Sequence, residues 1–282
     1  MNLLHAILLG LVQGLTEFLP VSSTAHLTLA ENLLLGRSMP LAFDVLLHVG
    51  TLLALLVYFR SDLASIIRGI AGWDEGGRRM ALWLLVAMVP TGVFAMATRH
   101  YKEAAKAHLW IYGACLLLTA LLLLVANRLA ASRPGRELRD MGVLDALAVG
   151  SIQGLGGGFG LSRSGSTIAM GVFRGLALPD ATRFSFLLGI PTITAAALVE
   201  SRSMVQAALR GQPLPPDVAF PAGSASPVLL CAAGVAAAAL AGYGAIGLLD
   251  RFTRRPRLQG FAAYCVLAGL LMLWLGLRAP LR

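Results

Sequence analysis

Two short polar clusters in a strongly apolar chain hold the side chains able to do chemistry. The first runs Gln13-Gly14-Leu15-Thr16-Glu17-Phe18-Leu19-Pro20-Val21-Ser22-Ser23-Thr24-Ala25-His26. The second runs Ser162-Arg163-Ser164-Gly165-Ser166-Thr167 and follows a glycine run at Gly154, Gly156, Gly157, Gly158 and Gly160. Together they offer a carboxylate, an imidazole, a guanidinium and several hydroxyls. That inventory suits phosphate chemistry: a cation and helix starts stabilise developing charge, a hydroxyl or water attacks, and His26 manages a proton.

Each group has a plainer alternative. Glu17 in an apolar segment costs about 2.5–3.5 kcal/mol at a helix centre, so it must face a cavity, a cation or an arginine. It can also sit at a wet hairpin mouth. Gln13 lies one turn earlier on the same helix face. With Glu17 it could offer oxygens to a hard divalent cation whose remaining ligands are water and a substrate phosphate. Pro20 should end the first helix, and Ser22 or Ser23 can cap the next. A helix start with free N–H groups also attracts an anion. A serine near His26 could be a nucleophile activated by a base; His26 could instead protonate a leaving group or be a core histidine. Arg163 suits bidentate phosphate binding, but it could equally pair with Glu17 as a salt bridge.

The clusters belong to a repeat. Gln13-Gly14-Leu15 returns 140 residues later as Gln153-Gly154-Leu155, and in both copies the first serine follows the glutamine by nine positions. Phe43-x-x-Leu46-Leu47-x-x-x-Thr51 returns as Phe184-x-x-Leu187-Leu188-x-x-x-Thr192. The expectation is two related halves, about 1–127 and 143–277, whose polar tips build one site within a single membrane domain over 1–282.

Composition sets the surroundings. Of 282 residues 57% are hydrophobic and 13% charged, and the mean hydropathy is +0.75. A soluble domain carries roughly a quarter charged residues, so this is an integral membrane protein. Full spans are expected near 41–59, 80–98, 108–127, 184–200, 226–249 and 258–277. The segments near 1–36 and 143–178 are apolar but interrupted, and each reads as helix, polar turn, helix. Such a hairpin can be re-entrant if its irregular backbone is buried in protein. With both hairpins re-entrant, the loops 60–79, 128–142 and 250–257 carry twelve Arg on one side. The loops 99–108 and 201–225 with the C-terminal end carry seven Arg and Lys on the other. The positive-inside rule makes the first side cytoplasmic and the two halves inverted. The net charge of +9 is spread over short loops, which fits topology and lipid headgroups rather than nucleic acid. Cys115, Cys231 and Cys265 fall in apolar spans without metal-ligand spacing and read as buried small hydrophobes. The N-terminus has no basic start and no cleavage site, so no removable signal peptide is expected.

The first cluster closely resembles the first signature of the bacterial undecaprenyl-diphosphate phosphatases, the bacitracin-resistance (BacA-type) family, and the second resembles that family's second signature. The resemblance covers most of the chain. It implies hydrolysis of undecaprenyl diphosphate to the monophosphate and inorganic phosphate, a divalent cation (Mg²⁺ or Ca²⁺), and a site facing the periplasmic side of the bacterial inner membrane. It also implies roles: Glu17 as the second, catalytic acidic residue of the family's Glu/Gln-x-x-x-Glu pattern, Ser23 as nucleophile or phosphate-positioning serine, His26 as catalytic histidine and Arg163 as phosphate-binding arginine. Ser22, Thr24, Ser162, Ser164, Gly165, Ser166 and Thr167 complete the expected phosphate-binding set, and Glu17 with Gln13 the expected metal oxygens. Gln13 stands where many members have glutamate, Ala25 replaces a frequent glycine, and Phe159-Gly160-Leu161 departs from the usual opening of the second signature. The expected partners are the polyprenyl diphosphate and membrane lipids, with a homodimer also open. A flippase for a lipid phosphate is the competing function, because inverted repeats with polar tips are also a transporter architecture. A chain that binds lipid without turnover is a third reading, motivated by Gln13.

Overall fold

A computed structural model describes residues 1–105, 108–157, 159–210, 212–213, 218, 220 and 226–278. Gly158 of the glycine run, and Lys106 and Arg282 of the charge count, lie outside them. Among the described residues the chain is helical, with no strand beyond an isolated bridge between Arg136 and Leu176. The helices are α1 (Leu3–Phe18), α2 (Ser23–Leu35), α3 (Leu41–Tyr58), α4 (Arg60–Ile70), α5 (Glu75–Ala97), α6 (Arg99–Ala105), α7 (Leu109–Ser132), α8 (Val143–Gly156), α9 (Arg163–Phe173), α10 (Leu178–Glu200), α11 (Arg202–Leu209), α12 (Pro227–Thr253) and α13 (Gln259–Arg278).

Six of these, α3, α5, α7, α10, α12 and α13, are long and apolar enough to cross a bilayer. They coincide with the six expected spans but begin or end up to six residues away. Helix ends follow capping rather than hydropathy. Asp74 caps α5 six residues before its apolar stretch by accepting from the Gly77 N–H at 2.9 Å. That bond, with the Ser65 hydroxyl, holds the Asp74 carboxyl below its usual range. The segments read as plain loops at 60–79, 99–108 and 201–225 contain α4, α6 and α11. A short amphipathic helix has too little apolar length to register in a hydropathy scan.

The two interrupted segments form helix pairs, α1–α2 and α8–α9, each broken at a polar turn. Leu19, which precedes Pro20, is extended and ends α1, as the residue before proline must largely be. Each pair is clamped against a long helix from the other half of the chain. On α1, a Cβ at Gly14 would collide with the Ala238 carbonyl of α12. On α8, a Cβ at Gly154 would collide with the Thr91 carbonyl of α5. Such small-residue contacts are how membrane helices gain packing without a hydrophobic drive between them. Large side chains such as Met96 on α5, Leu240 on α12 and Leu267 on α13 point outward and are exposed.

The base of the second pair is tied by charge. The buried Asp145 carboxylate accepts from Arg136 and Arg174, both at 2.9 Å, and from the Gly142 N–H at 3.0 Å. The polar turns, by contrast, are sunk in the protein: Gln13, Glu17, Ser22, Ser162, Ser164, Ser166 and Thr167 are all buried.

Candidate active site

The two turns meet. Arg163 Nη2, on the first residue of α9, donates to Glu17 Oε1 at 2.9 Å. The Ser164 hydroxyl donates to the Leu19 carbonyl of the first turn at 3.1 Å. Glu17 is 8% exposed and Arg163 13%, so each is the other's main source of charge compensation in a site largely closed to water. Arg163 Nη1 also donates to the Ser185 carbonyl of α10 at 3.4 Å, which leaves other guanidinium donors for a ligand.

The second carboxylate oxygen is also engaged. The Ser23 hydroxyl donates to Glu17 Oε2 at 2.6 Å, and Gln13 Nε2 donates to the same oxygen at 3.3 Å. A short hydroxyl–carboxylate bond is the arrangement by which a base can take a serine proton. The serine so bonded is Ser23 and its carboxylate partner Glu17. His26 faces elsewhere: its Nδ1 donates to the Ser22 carbonyl at 2.8 Å, and its Nε2 meets the Tyr264 hydroxyl of α13 at 2.6 Å.

Local structure explains the placing. Ser22 caps α2, its hydroxyl accepting from the Ala25 N–H. It has φ 70°, the only positive φ at a non-glycine residue among those described. Backbone strain of this kind costs about 1–3 kcal/mol and collects at functional sites. Ser162 caps α9 in the same way, accepting from Gly165 at 3.1 Å, and its own N–H donates to the Thr119 hydroxyl of α7 at 3.2 Å. The positive ends of α2 and α9 thus converge on the Glu17–Arg163 pair. Thr24, half-buried, stands in the first turn of α2. The Ser166 and Thr167 hydroxyls turn inward. Both donate to the Arg163 carbonyl, at 3.1 and 2.7 Å, and Thr167 pairs with the Ser185 hydroxyl at 2.6 Å. In this state they brace the arginine's backbone.

Whether the donors fit a cation depends on Gln13 and Glu17. Gln13 Oε1 is buried with no hydrogen-bond partner, an acceptor beside a carboxylate. That is a fit for a hard cation, although with only two protein groups. No group of three or more His, Cys, Asp or Glu among the described residues is arranged to hold a metal. Substrate oxygens would have to supply much of the shell.

Several neighbours were not apparent in the motifs. Ser185 follows Phe184 as Asp44 follows Phe43, so the repeat itself was the available signal. His48, whose Nδ1 donates to the Asp44 carbonyl at 3.0 Å, interacts electrostatically with Glu17. Its position in the other copy is Gly189. A Cβ at Gly189 would fall 2.5 Å from Arg163 Nη1. Thr119 and Tyr264 had no signal beyond being polar residues in apolar spans.

Gly189→Ala therefore gives a clean test of the arginine's placing. The methyl meets the tip of a flexible side chain, so the fold should persist while the guanidinium moves off its partners. Turnover should drop about a hundredfold, the cost of a misplacement near 1 Å. A reduced catalytic rate beside an unchanged melting temperature would show it; full activity would mean the guanidinium's seat is not critical.

A family model described as bacitracin resistance protein BacA matches residues 6–271. A protein of Syntrophotalea carbinolica named undecaprenyl-diphosphatase is 40% identical, over 95% of this chain and 97% of that one. Proteins of the same name from Myxococcus xanthus and Desulfosudis oleivorans are 37% and 36% identical, over 97% and 99% of this chain and 89% and 100% of theirs.

Proposed function

This chain belongs to the BacA bacitracin-resistance family, and on that footing we propose that it is a membrane phosphatase hydrolysing undecaprenyl diphosphate to undecaprenyl phosphate and inorganic phosphate. One observation carries the reading onto particular residues: the Ser23 hydroxyl bonded to Glu17, with Glu17 held in turn by Arg163 from the other turn. A carrier would need phosphate affinity but no serine–base pair, so nothing here favours the flippase alternative.

The diphosphate docks with its terminal phosphate against Arg163 and the starts of α2 and α9, where Ser22, Thr24, Ser162, Ser164 and the Gly165 backbone surround it. Ser23 Oγ attacks the terminal phosphorus while Glu17 takes the hydroxyl proton. The bond to the bridging oxygen breaks, and undecaprenyl phosphate leaves with the electron pair. Arg163 and the two helix starts stabilise the charge on the equatorial oxygens. Water then attacks the phosphoserine; Glu17 returns its proton to the departing Ser23 Oγ and takes one from the water, so inorganic phosphate leaves with Ser23 restored. His26, when protonated at Nε2, gives that proton to the departing oxygen and recovers one from water. Ser166 and Thr167 act through Arg163, whose carbonyl they hold. A divalent cation, Mg²⁺ or Ca²⁺, when bound, would neutralise phosphate charge, with Glu17 and Gln13 as its protein oxygens.

The same reading extends to architecture. The hairpins α1–α2 and α8–α9 are re-entrant, and the repeats 1–127 and 143–277 are inverted halves of one membrane domain. The reciprocal clamping of α1 on α12 and α8 on α5 supports this, as do the twelve-to-seven charge bias and the repeat. The protein is multi-pass; its place is the bacterial inner membrane, with the site reached from the periplasm. Homodimerisation belongs to this reading too, the outward apolar side chains being covered by lipid or by a second copy.

Phosphate release from undecaprenyl diphosphate by the purified protein in detergent tests it. Release is expected with Mg²⁺ or Ca²⁺ and not without, and His26→Ala should abolish it. A folded, lipid-binding protein that releases nothing would sink the phosphatase reading.

A further inference from the structure

The imidazole of His26 is held at both nitrogens. Nδ1 lies 2.8 Å from the Ser22 carbonyl, and a carbonyl can only accept, so Nδ1 carries a proton. In the neutral ring Nε2 is then a bare acceptor, and the atom 2.6 Å away is the Tyr264 hydroxyl. The rings lie nearly parallel, centroids 5.5 Å apart at 16°. Tyr264 comes from α13, which carries none of the repeat motifs, and joins a residue 238 positions earlier. A tyrosine that only packs between helix and lipid would present its hydroxyl to water or headgroups. This one spends its O–H on the imidazole.

Resting on the phosphatase reading for its kinetic consequence, we propose that Tyr264 is the positioning residue of His26. The strained Ser22 carbonyl and the Tyr264 hydroxyl clamp the ring from opposite ends, selecting the tautomer with Nδ1 protonated and aiming Nε2 along one line. Orientation of a catalytic imidazole by a partner on its far nitrogen is a familiar device. Here that partner is backbone, and the tyrosine guards the reactive end. When His26 accepts a proton at Nε2, the same hydroxyl can turn from donor to acceptor, so the clamp survives both protonation states. No proton is lost from the tyrosine in either state.

Tyr264→Phe removes the hydroxyl and keeps the stacked ring. Two readouts separate the proposal from a packing role. Nitrogen-15 spectra of the histidine-labelled protein in detergent, assigned with His26→Ala, should show His26 as one tautomer with a hydrogen-bonded Nε2 in the wild type. In Tyr264→Phe the Nε2 signal should move to that of an unbonded nitrogen or average between tautomers. In steady-state assays kcat should fall about tenfold with KM within about twofold, the mark of a proton-handling group made less effective rather than lost. An Nε2 signal unchanged by the substitution, or an unchanged kcat, overturns the proposal. If Tyr264→Phe does not fold, the wild-type spectrum still decides, since an unbonded Nε2 there overturns it. Absence of turnover in the wild type would instead count against the phosphatase reading, while the spectra would still judge the clamp.

Discussion

Arg163→Ala should bring phosphate release to background, a loss of at least about a thousandfold. Removing a single donor aimed at developing charge costs about 10²–10³ in turnover. Arg163 supplies several donors and the site's main fixed cation. Its loss also strips Glu17 of the partner that Arg163 Nη2 provides at 2.9 Å. A carboxylate left alone in so closed a site costs about 3–5 kcal/mol, so the variant should melt lower as well as lose activity. The two losses are separable. Arg163→Ala combined with Glu17→Gln removes both charges, so it should recover much of the melting temperature and none of the turnover. Arg163→Lys should keep part of the stability but little activity, because a point charge cannot hold Glu17 and phosphate through one planar fork. Near-normal turnover in Arg163→Ala would rule out a site shared between the two turns.

Glu17→Gln should lower turnover by about 10²–10⁴, the range for loss of a positioned base, and abolish the response to added cation. The amide keeps the shape of the carboxylate but has one oxygen where two are used, by Ser23 and by Arg163. Turned toward Arg163 its N–H₂ faces another donor, and turned toward Ser23 it makes the hydroxyl an acceptor instead of a donor. The Ser23 proton then has no basic acceptor, and a cation loses its one anionic protein oxygen. Titrating Mg²⁺ and Ca²⁺ against phosphate release, for wild type and variant, measures both effects. A variant whose cation response is unchanged would make Glu17 only a structural ion pair with Arg163, the plainer reading that the sequence left open.

These predictions rest on an asymmetry inside the repeat. Gln13 and Gln153 are equivalent, and both are buried with an unpartnered Oε1. Yet Glu17 has Gly157 as its counterpart, and Ser23 has Arg163. Each half thus contributes one member of the central ion pair, and neither half could build the site alone. Gln153 bonds instead to the Thr91 and Thr192 hydroxyls, at 3.1 and 3.0 Å, tying α8 to α5 and α10.

By itself the sequence determined the membrane setting, the six long helices, the two interrupted segments, the repeat and the residues of both polar clusters. Those features are local. A span registers as twenty apolar residues, a turn as Pro20 or a glycine run, a chemical group as a polar side chain where burial is costly. Only the tertiary structure decided how the groups pair. Proximity in sequence suggested His26 as the partner of the serine, but the chain turns at Pro20 and Ser22 so that Ser23 faces back to Glu17 while His26 faces α13. Ser185, Thr119, His48 and Tyr264 reach the site from four further helices, each within an apolar stretch whose pattern records burial but not neighbours. Hydropathy reports how much a residue avoids water, whereas the direction of a hydrogen bond is set by the packing of helices distant in sequence.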